Sequence, residues 1–260
     1  MKELSVIIVN YNGRKFLQEC VQSVFLYCKG IDLEIIIVDN NSTDNSLDLV
    51  LLKDSRIKVI KNQENLGFSR ANNIGIKESK KEYILLLNND TILLDPLDVL
   101  FEYIEKQERV GVVSIQMVDK NKQYRCSTGY FPNLLNIILF RFMYHRFTKN
   151  QLKSTNFEKV QWVEGSFLFI KREMLKQVNG LSNEYFMYLE DVDLCKRISD
   201  NGYDICFCPK LRYIHFGGYT NHRFSMHLAS MRKYVTIHNK GIIRFLILLI
   251  LDFKRIKTWL

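Results

Sequence analysis

The segment LSVIIVNYNG, residues 4–13, sets the expectation for the fold. Its first six residues form an apolar run without polar alternation, which is typical of a parallel strand buried on both faces. The run ends in a polar loop of asparagine, tyrosine and glycine. The same pattern recurs at LEIIIV (33–38), IKVI (57–60), YILLL (83–87) and VGVVSI (110–115). The first 115 residues therefore predict the strands of one buried sheet.

Helix-like stretches separate these runs, at about 14–28, 43–53, 68–79 and 96–108. Ser42-Thr43-Asp44 offers capping groups for the second stretch, and Pro96 suits the first turn of the fourth. Strands alternating with helices predict an α/β fold, with a mainly parallel central sheet flanked by helices.

Polar loops follow four of the predicted strands. They are Asn10–Gly13, Asp39–Ser42, Asn62–Asn65 and Asn88–Asp90. Asn and Asp are common turn residues, so one such loop indicates little. Four of them are informative, because the carboxyl ends of parallel strands meet at the edge where α/β proteins bind ligands. The chain has neither a GxGxxG nor a GxxxxGK[ST] motif, so a dinucleotide fingerprint and a P-loop are not supported.

Beyond residue 116 the pattern is less regular. WVEGSFLFI (162–170) predicts a turn and a strand, and the short helix after it ends at Asn179-Gly180. A further helix is expected near Glu190. DICFC (204–208) predicts a strand that breaks at Pro209, and YIHFGG (213–218) follows it.

The C-terminal end is predicted to be helical and basic. We expect one domain over residues 1–240, followed by an apolar-basic segment at 241–260. Its apolar run FLILLIL (245–251) is far shorter than the roughly 20 residues that span a bilayer. With basic residues on both sides, the segment fits a membrane interface, and it fits a final core helix equally well.

The charge is unevenly distributed. The 260 residues carry a net charge of +9 and are 47% hydrophobic, which excludes a disordered chain or a disulfide miniprotein. Residues 196–260 hold 12 basic and 3 acidic side chains, and the rest holds 25 of each. This predicts a localised anionic partner: nucleic acid, phospholipid or a phosphorylated substrate.

The cysteines and the N-terminus predict a cytoplasmic protein. The six cysteines form no CxxC pair, so we expect reduced thiols, several of them in the core, and no zinc site. The N-terminus enters a strand pattern directly, without a signal peptide.

Several residues at the ligand edge have the chemistry of a catalytic site, and each also has a structural interpretation. Asp90 suits a hard cation beside a phosphate, or a turn cap. Asp39 suits a ribose or base, or an Asx turn. Glu190, Asp191 and Asp193 crowd three carboxylates at a predicted helix start, which can yield a general base or a simple N-cap. His215, beside Gly217-Gly218, is either a ligand or a structural histidine.

Together these segments resemble family 2 glycosyltransferases of the GT-A fold, in particular the rhamnosyltransferase-like branch. The similar segments are VIIVNYNG (6–13), IIIVDNNSTDNS (35–46), ENLGFSRANNIGI (64–76), ILLLNNDT (84–91), WVEGSFLFIKREM (162–174), YFMYLEDVDLCKRI (185–198) and HFGG (215–218). Residues 131–160 and the end beyond 240 resemble nothing specific.

The resemblance implies a role for each matched position. Asp191 would be the catalytic base, and Asp90 and His215 would bind Mg²⁺ or Mn²⁺. Asn88 stands where the family's DxD motif has its first acid, which leaves Asp90 as the carboxylate ligand. Substrate-binding positions would be Asn10, Tyr11, Asn12, Asp39, Asn41, Asn65, Gly67, Arg70, Asn88, Asn89, Trp162, Gly165, Ser166 and Glu190. Trp162 is either a sugar-stacking platform or a core residue.

The implied reaction is inverting, metal-dependent transfer of a sugar from a nucleoside-diphosphate sugar, dTDP-L-rhamnose being the first choice. The acceptor would be a hydroxyl of a glycan or of a polyprenyl-diphosphate-linked glycan in bacterial surface polysaccharide synthesis. From the charge distribution we expect the basic end to serve two anions: the donor diphosphate near His215 and, near the C-terminal segment, either anionic membrane at its cytoplasmic face or a polyprenyl-diphosphate acceptor. Nucleic acid would not be a partner. The alternatives are an inactive nucleotide-sugar-binding module and a basic nucleic-acid-binding protein.

Overall fold

The computed structural model describes residues 2–48, 53–138, 145, 147–148, 150–217 and 223–257, without the side chains of 223–224 and 253–257. Within these residues the chain forms the following strands and helices. The strands are β1 Glu3–Asn10, β2 Asp32–Asp39, β3 Ile57–Lys61, β4 Tyr83–Asn88, β5 Thr91–Leu93, β6 Val110–Val118, β7 Thr128–Gly129, β8 Glu158–Val160, β9 Trp162–Val163, β10 Phe167–Lys171 and β11 Asp204–His215. The helices are α1 Leu17–Tyr27, α2 Gly67–Glu78, α3 Asp98–Lys106, α4 Leu134–Ile138, α5 Arg172–Gln177, α6 Glu190–Asp200, α7 Arg223–His238 and α8 Gly241–Lys257.

The main sheet has the strand order β3-β2-β1-β4-β10-β6-β11-β5, and β8 pairs with β11. The predicted mixed α/β architecture is confirmed. β3, β2, β1 and β4 are parallel, and β11 runs parallel to β6. The parallel register places Asn10 beside Asp39 and Val9 beside Asn88, so the loops after these strands meet at one edge.

Two features of the sheet add to or correct the prediction: the place of β10, for which no strand order was predicted, and the predicted break at Pro209. β10 lies antiparallel between β4 and β6, so the strand at 110–118 is not a direct neighbour of β4. Pro209 does not break the strand either, because β11 runs without interruption from Asp204 to His215. The register against β6 shifts between Cys208 and Arg212, and this bulge accommodates a residue that has no backbone N–H to donate.

Two predicted helix starts also need correction. The stretch 43–53 contains a 3-10 turn at Ser46–Asp48 rather than an α-helix, and residues 49–52 lie outside the described part. Ser42 and Asp44 hydrogen-bond to the 10–14 loop instead of only capping a helix. α3 begins at Asp98, so Pro96 precedes the helix.

The sheet is covered on both faces, as its unalternated apolar strands require. Alternate residues of β1 show this: Val6 and Ile8 pack with α1 and α3, whereas Ile7 packs with α2 and the C-terminal helices. Five of the six cysteines are buried and all six are free, which confirms the prediction of reduced core cysteines. Within the described residues, no helix is long and apolar enough to cross a membrane.

Candidate active site

A buried polar network joins the ends of β1 and β2. The Asn10 amide donates hydrogen bonds to Asp39 Oδ1 at 2.8 Å and to Ser46 Oγ at 2.8 Å. Asp39 is 2% exposed and also accepts hydrogen bonds from the backbone N–H and the hydroxyl of Ser42. Both predicted residues are therefore fixed at the ligand edge, and Asp39 also forms the Asx turn that was the alternative interpretation.

The loops that flank this network are tightly turned. Asn12 and Asn41 adopt left-handed backbone conformations with φ of 51° and 64°, which Asn tolerates better than most residues. Asn12 Oδ1 accepts a hydrogen bond from the Thr43 N–H at 2.8 Å, so the two loops support each other. Tyr11 is 52% exposed and projects a free aromatic surface at this edge.

The loop after β3 is tied to the segment before α6. Gly67 has φ +79°, and a Cβ there would collide with the carbonyl oxygen of Phe186. That oxygen accepts the N–H of Phe68 at 2.7 Å, while Asn65 Oδ1 accepts the N–H of Gly67. Arg70, which is exposed, helps to line a small pocket of about 230 Å³ beside this junction.

The turn between β4 and β5 carries Asn88, Asn89 and Asp90. Asn89 donates its amide hydrogen to Asn10 Oδ1 at 2.9 Å, which couples this turn to the β1–β2 network. The side-chain oxygen of Asn88 is buried and has no hydrogen-bond partner among the described residues. Asp90 faces His215, with 3.3 Å between Oδ1 and Nε2.

His215, at the end of β11, lies between two carboxylates. Its Nδ1 is 3.3 Å from Glu164 Oε1, and its Nε2 faces Asp90. Burial acts to lower the pKa of His215, but the hydrogen bonds and charges of Asp90 and Glu164 outweigh it and raise the pKa to about 10. The surroundings of His215 therefore strongly favour the protonated, positively charged form of its ring. Gly218, the last residue of the HFGG segment, lies outside the described residues.

The residues present fit a divalent cation as a partial site. No group of three or more His, Cys, Asp or Glu side chains in the described ranges is arranged to hold a metal ion. Asp90 and His215 nevertheless offer a carboxylate and an imidazole, and Asn88 adds a buried amide oxygen without a partner. Mg²⁺ sites in nucleotide enzymes typically use one or two protein carboxylates and complete the shell with phosphate and water.

Asp191 occupies the first turn of α6 and points towards the same edge. Its Oδ2 accepts the Gly165 N–H and its Oδ1 accepts the Val192 N–H, both at 2.8 Å. Burial raises the pKa of Asp191, the two amides oppose the rise, and the charge of Glu164 adds to it, giving about 6. The carboxylate is ionised at neutral pH and is still more basic than an ordinary Asp.

Glu190 and Asp193 have different surroundings from Asp191. Glu190 is 6% exposed, and its Oε2 has no hydrogen-bond partner in the part of the chain that the structure describes. Burial and the charge of Asp191 raise its pKa well above the usual range. Asp193 turns away from the site and accepts hydrogen bonds from Arg197 and His238. The predicted pKa rise is present, but burial rather than charge crowding is its main cause.

Three consecutive residues connect the parts of this site. Glu164 reaches His215, the Gly165 N–H binds Asp191, and the Ser166 carbonyl accepts the Asn88 N–H at 3.1 Å. Ser166 itself is buried and shares a 2.7 Å hydrogen bond with Tyr213. Residues 164–166 thus bring the proposed base, the histidine and the β4 end together.

Trp162 has the surroundings of a core residue. It is 9% exposed, its ring covers Gly129, and its indole N–H donates to the Tyr130 carbonyl at 3.0 Å. The contacts of Trp162 therefore match the core interpretation given for this residue. Its ring does not offer an open face on which a sugar could stack.

Glu164 is the site residue that the sequence analysis did not select. It is one-third exposed and pairs with a histidine that lies far along the chain. Its position immediately before Gly165-Ser166 was the available signal, but only the packing of β10 and β11 in one sheet reveals its partner.

Comparisons with known proteins give consistent matches. Residues 5–178, more than half of the chain, match the family described as glycosyl transferase family 2. Residues 145–223 match a second family, described as the N-terminal domain of galactosyltransferase. Over 184 residues the chain is 30% identical to the rhamnosyltransferase WbbL of Escherichia coli (strain K12), covering 65% of this chain and 70% of that protein.

Two more distant matches cover most of the chain. It is 23% identical over 252 residues to the N-acetylglucosaminyl-diphospho-decaprenol L-rhamnosyltransferase of Mycobacterium tuberculosis (strain CDC 1551 / Oshkosh), covering 88% of this chain and 81% of that protein. The solved mannosyltransferase PcManGT from Pyrobaculum calidifontis, in complex with GDP-Man and Mn²⁺, superposes with a TM-score of 0.64. That likeness, at 17% identity, covers 96% of this chain and 68% of that one.

Proposed function

This chain belongs to glycosyl transferase family 2, and from that premise we propose that it is an inverting, metal-dependent enzyme that uses a nucleoside-diphosphate sugar. Its fold is that of the GT-A glycosyltransferases, as the resemblance implied. The observation that carries the proposal is the meeting of Asp191, His215 and the Asn88–Asp90 turn around residues 164–166.

The donor nucleotide would lie over the ends of β1 and β2. Asp39 is held there by Asn10 and Ser42, and a buried carboxylate with fixed orientation can accept hydrogen bonds from a ribose or a base. Tyr11, Asn12 and Asn41 would border the nucleotide. Asn65, Gly67 and Arg70, which follow β3, would border the same site from the adjoining side.

Asp90, His215 and Asn88 would hold Mg²⁺ or Mn²⁺ together with the donor diphosphate. When bound, such a cation neutralises the charge that develops on the leaving diphosphate. The buried, unpaired oxygen of Asn88 supports this assignment, because a buried polar atom without a partner is costly unless a ligand satisfies it. Asn89 keeps the turn in place through its hydrogen bond to Asn10.

Asp191 would act as the general base. Its carboxylate would remove the proton from the acceptor hydroxyl as that oxygen attacks the anomeric carbon. The bond from that carbon to the diphosphate oxygen breaks at the same time, and the nucleoside diphosphate leaves from the opposite face. The amides of Gly165 and Val192 keep the carboxylate aimed, and its raised pKa makes it a better proton acceptor at neutral pH.

We take rhamnose carried by dTDP as the first donor to test, because two relatives are named rhamnosyltransferases. The acceptor would be a glycan or a polyprenyl-diphosphate-linked glycan, since one relative is named for a diphospho-decaprenol acceptor. The free cysteines suit the reducing cytoplasm, and we place the reaction at the cytoplasmic face of the membrane.

A donor panel tests this function. Thermal unfolding of the purified chain would be measured with dTDP-, UDP- and GDP-sugars, each with and without Mn²⁺. We expect one nucleotide to raise the melting temperature only with the metal, and Asp90→Ala to remove that metal-dependent part. No shift with any donor would contradict the proposal. A shift without release of nucleoside diphosphate on adding acceptor would favour the inactive binding module instead.

A further inference from the structure

α8 has apolar side chains on two opposite sides. Ile247 and Leu251 are buried and pack into the core, so the helix is a docked part of the fold. Turned away from them are Ile242, Phe245, Leu246 and Leu249, which we call the α8 outer face; these side chains are 69%, 61%, 37% and 42% exposed. Because successive helical residues are 100° apart, this face points directly away from the core. Packing among the residues that the structure describes therefore does not explain it.

Two helices that pack against α8 also expose apolar side chains. α4 packs against α8 and exposes Leu135 and Ile138, at 63% and 52%. α7 also packs against α8 and exposes Ile237 at 44%. Single exposed apolar residues are ordinary on protein surfaces, whereas the four adjacent apolar side chains of the α8 outer face form a patch of the kind that marks an interaction site.

The two ends of α8 carry positive charge. Lys240 and Arg244 are exposed at the start of the helix, and the sequence adds Lys254, Arg255 and Lys257 to its later turns. Asp252 is the single acidic residue of α8, and it is paired with Arg232. A helix with an exposed apolar face and basic residues at both ends has the composition of helices that lie in the surface of an anionic bilayer.

We propose that the α8 outer face docks the enzyme on an anionic lipid bilayer, with the apolar side chains in the interface and the basic ends of the helix attracted to lipid phosphates. A second copy of the chain fits less well, because a two-fold contact would bring the same basic residues together. Lipid docking does not depend on the proposed function. The benefit of docking, access to a polyprenyl-linked acceptor, rests on that function.

Vesicle flotation of the full chain tests the proposal. Vesicles of phosphatidylglycerol and phosphatidylethanolamine would be compared with vesicles of phosphatidylcholine alone. The test variant is Ile242→Gln with Phe245→Gln and Leu249→Gln. The matched control is Leu26→Gln on α1, an apolar helical residue that is 52% exposed and lies outside this surface. Thermal unfolding and donor binding without vesicles would be measured for every variant.

We expect the wild type and Leu26→Gln to float with anionic vesicles and the triple variant to bind at least tenfold more weakly, with its melting temperature and donor affinity unchanged. Lys240→Gln with Arg244→Gln should weaken anionic-vesicle binding by about fivefold per residue and leave binding to phosphatidylcholine unaltered. Equal flotation of the triple variant and the wild type would overturn the proposal. A lipid-free dimer that the triple variant converts to monomer would assign the face to a second copy instead. Because donor binding is scored separately, failure of docking and failure of the proposed function give different results.

Discussion

Asp191 shows, at the scale of one residue, how its surroundings change the pKa of a common side chain. Two backbone amides hold its oxygens, and burial with the nearby Glu164 raises its pKa to about 6. The raised value means that protonation, which abolishes base function, begins at a higher pH than for an exposed Asp. The same burial leaves Glu190, its neighbour, with an unpartnered oxygen.

The pH dependence of transfer should follow Asp191. The rate at saturating donor is expected to be on a plateau at neutral pH and to fall about tenfold per unit as the pH drops below about 6, because only the ionised carboxylate accepts a proton. Measuring the transfer rate between pH 4.5 and 8, with donor affinity measured in parallel, checks this. A flat profile down to pH 5 would contradict the assignment of the base.

Glu164 is the second residue whose role can be tested alone. It lies against His215 Nδ1 and so orients the ring with Nε2 towards Asp90. Carboxylates that hold a ligating histidine in this way typically contribute about 10- to 100-fold to metal affinity. We expect Glu164→Gln to weaken Mn²⁺ binding by a factor in this range, measured by electron paramagnetic resonance titration without acceptor.

Glu173→Gln, in the exposed first turn of α5, is the matched control for that titration. It should leave Mn²⁺ affinity unchanged. An affinity of Glu164→Gln equal to that of the control would show that His215 does not need this partner.

At the scale of elements, the start of α6 is where the fold fixes the proposed catalytic base, Asp191. Tyr188 and Leu189 have positive φ values of 72° and 66°, and two such residues in succession are strained for side chains of this size. The chain turns sharply there, so Glu190 and Asp191 begin the helix against residues 164–166. Asp193, two residues on, holds the other side of the helix by accepting hydrogen bonds from Arg197 and from His238 of α7.

The Asp193 contacts should stabilise the fold measurably. Burial acts to raise the pKa of Asp193, but His238 and Arg197 outweigh it and lower the pKa. This stability is present above the ordinary Asp pKa and is lost as the pH falls through the lowered value. Asp193→Asn should therefore cost about 3–5 kcal/mol of unfolding free energy at neutral pH, because the Arg197 charge stays behind without its carboxylate and His238 loses its acceptor.

Asp200→Asn on the same helix is the control for this effect, since Asp200 pairs with Lys196 at the surface. Urea unfolding should show a loss below about 1 kcal/mol for it. Equal losses for the two variants would mean that Asp193 is not the link between α6 and α7.

For the whole molecule, the sequence alone predicted those features of the fold that follow from the local pattern of residues. The apolar runs at 4–9 and 83–87 became β1 and β4, and parallel pairing then brought Asn10, Asp39 and Asn88 to one edge. The insertion of β10 between β4 and β6 could not be predicted, because strand order depends on packing between distant segments. For the same reason the contact of Glu164 with His215 was not foreseen.

The C-terminal end shows the same division between local pattern and packing. Its basic and apolar composition was plain in the sequence, and two interpretations of the segment 241–260 were open. The structure shows Ile247 and Leu251 in the core and the α8 outer face exposed. One side of the helix therefore packs in the core, as one interpretation predicted, and the other side is the surface that we propose docks on lipid. Composition alone could not separate these two sides of one helix.

Sugar transfer by Asp191→Asn, compared with the wild type, tests the central claim most directly. The donor selected by the nucleotide panel would be supplied with Mn²⁺ and an acceptor, and the formation of glycosylated product would be followed together with donor affinity. The account predicts a rate about 10²- to 10⁴-fold lower than that of the wild type, with donor affinity and melting temperature retained. Turnover by Asp191→Asn close to the wild-type rate would contradict it.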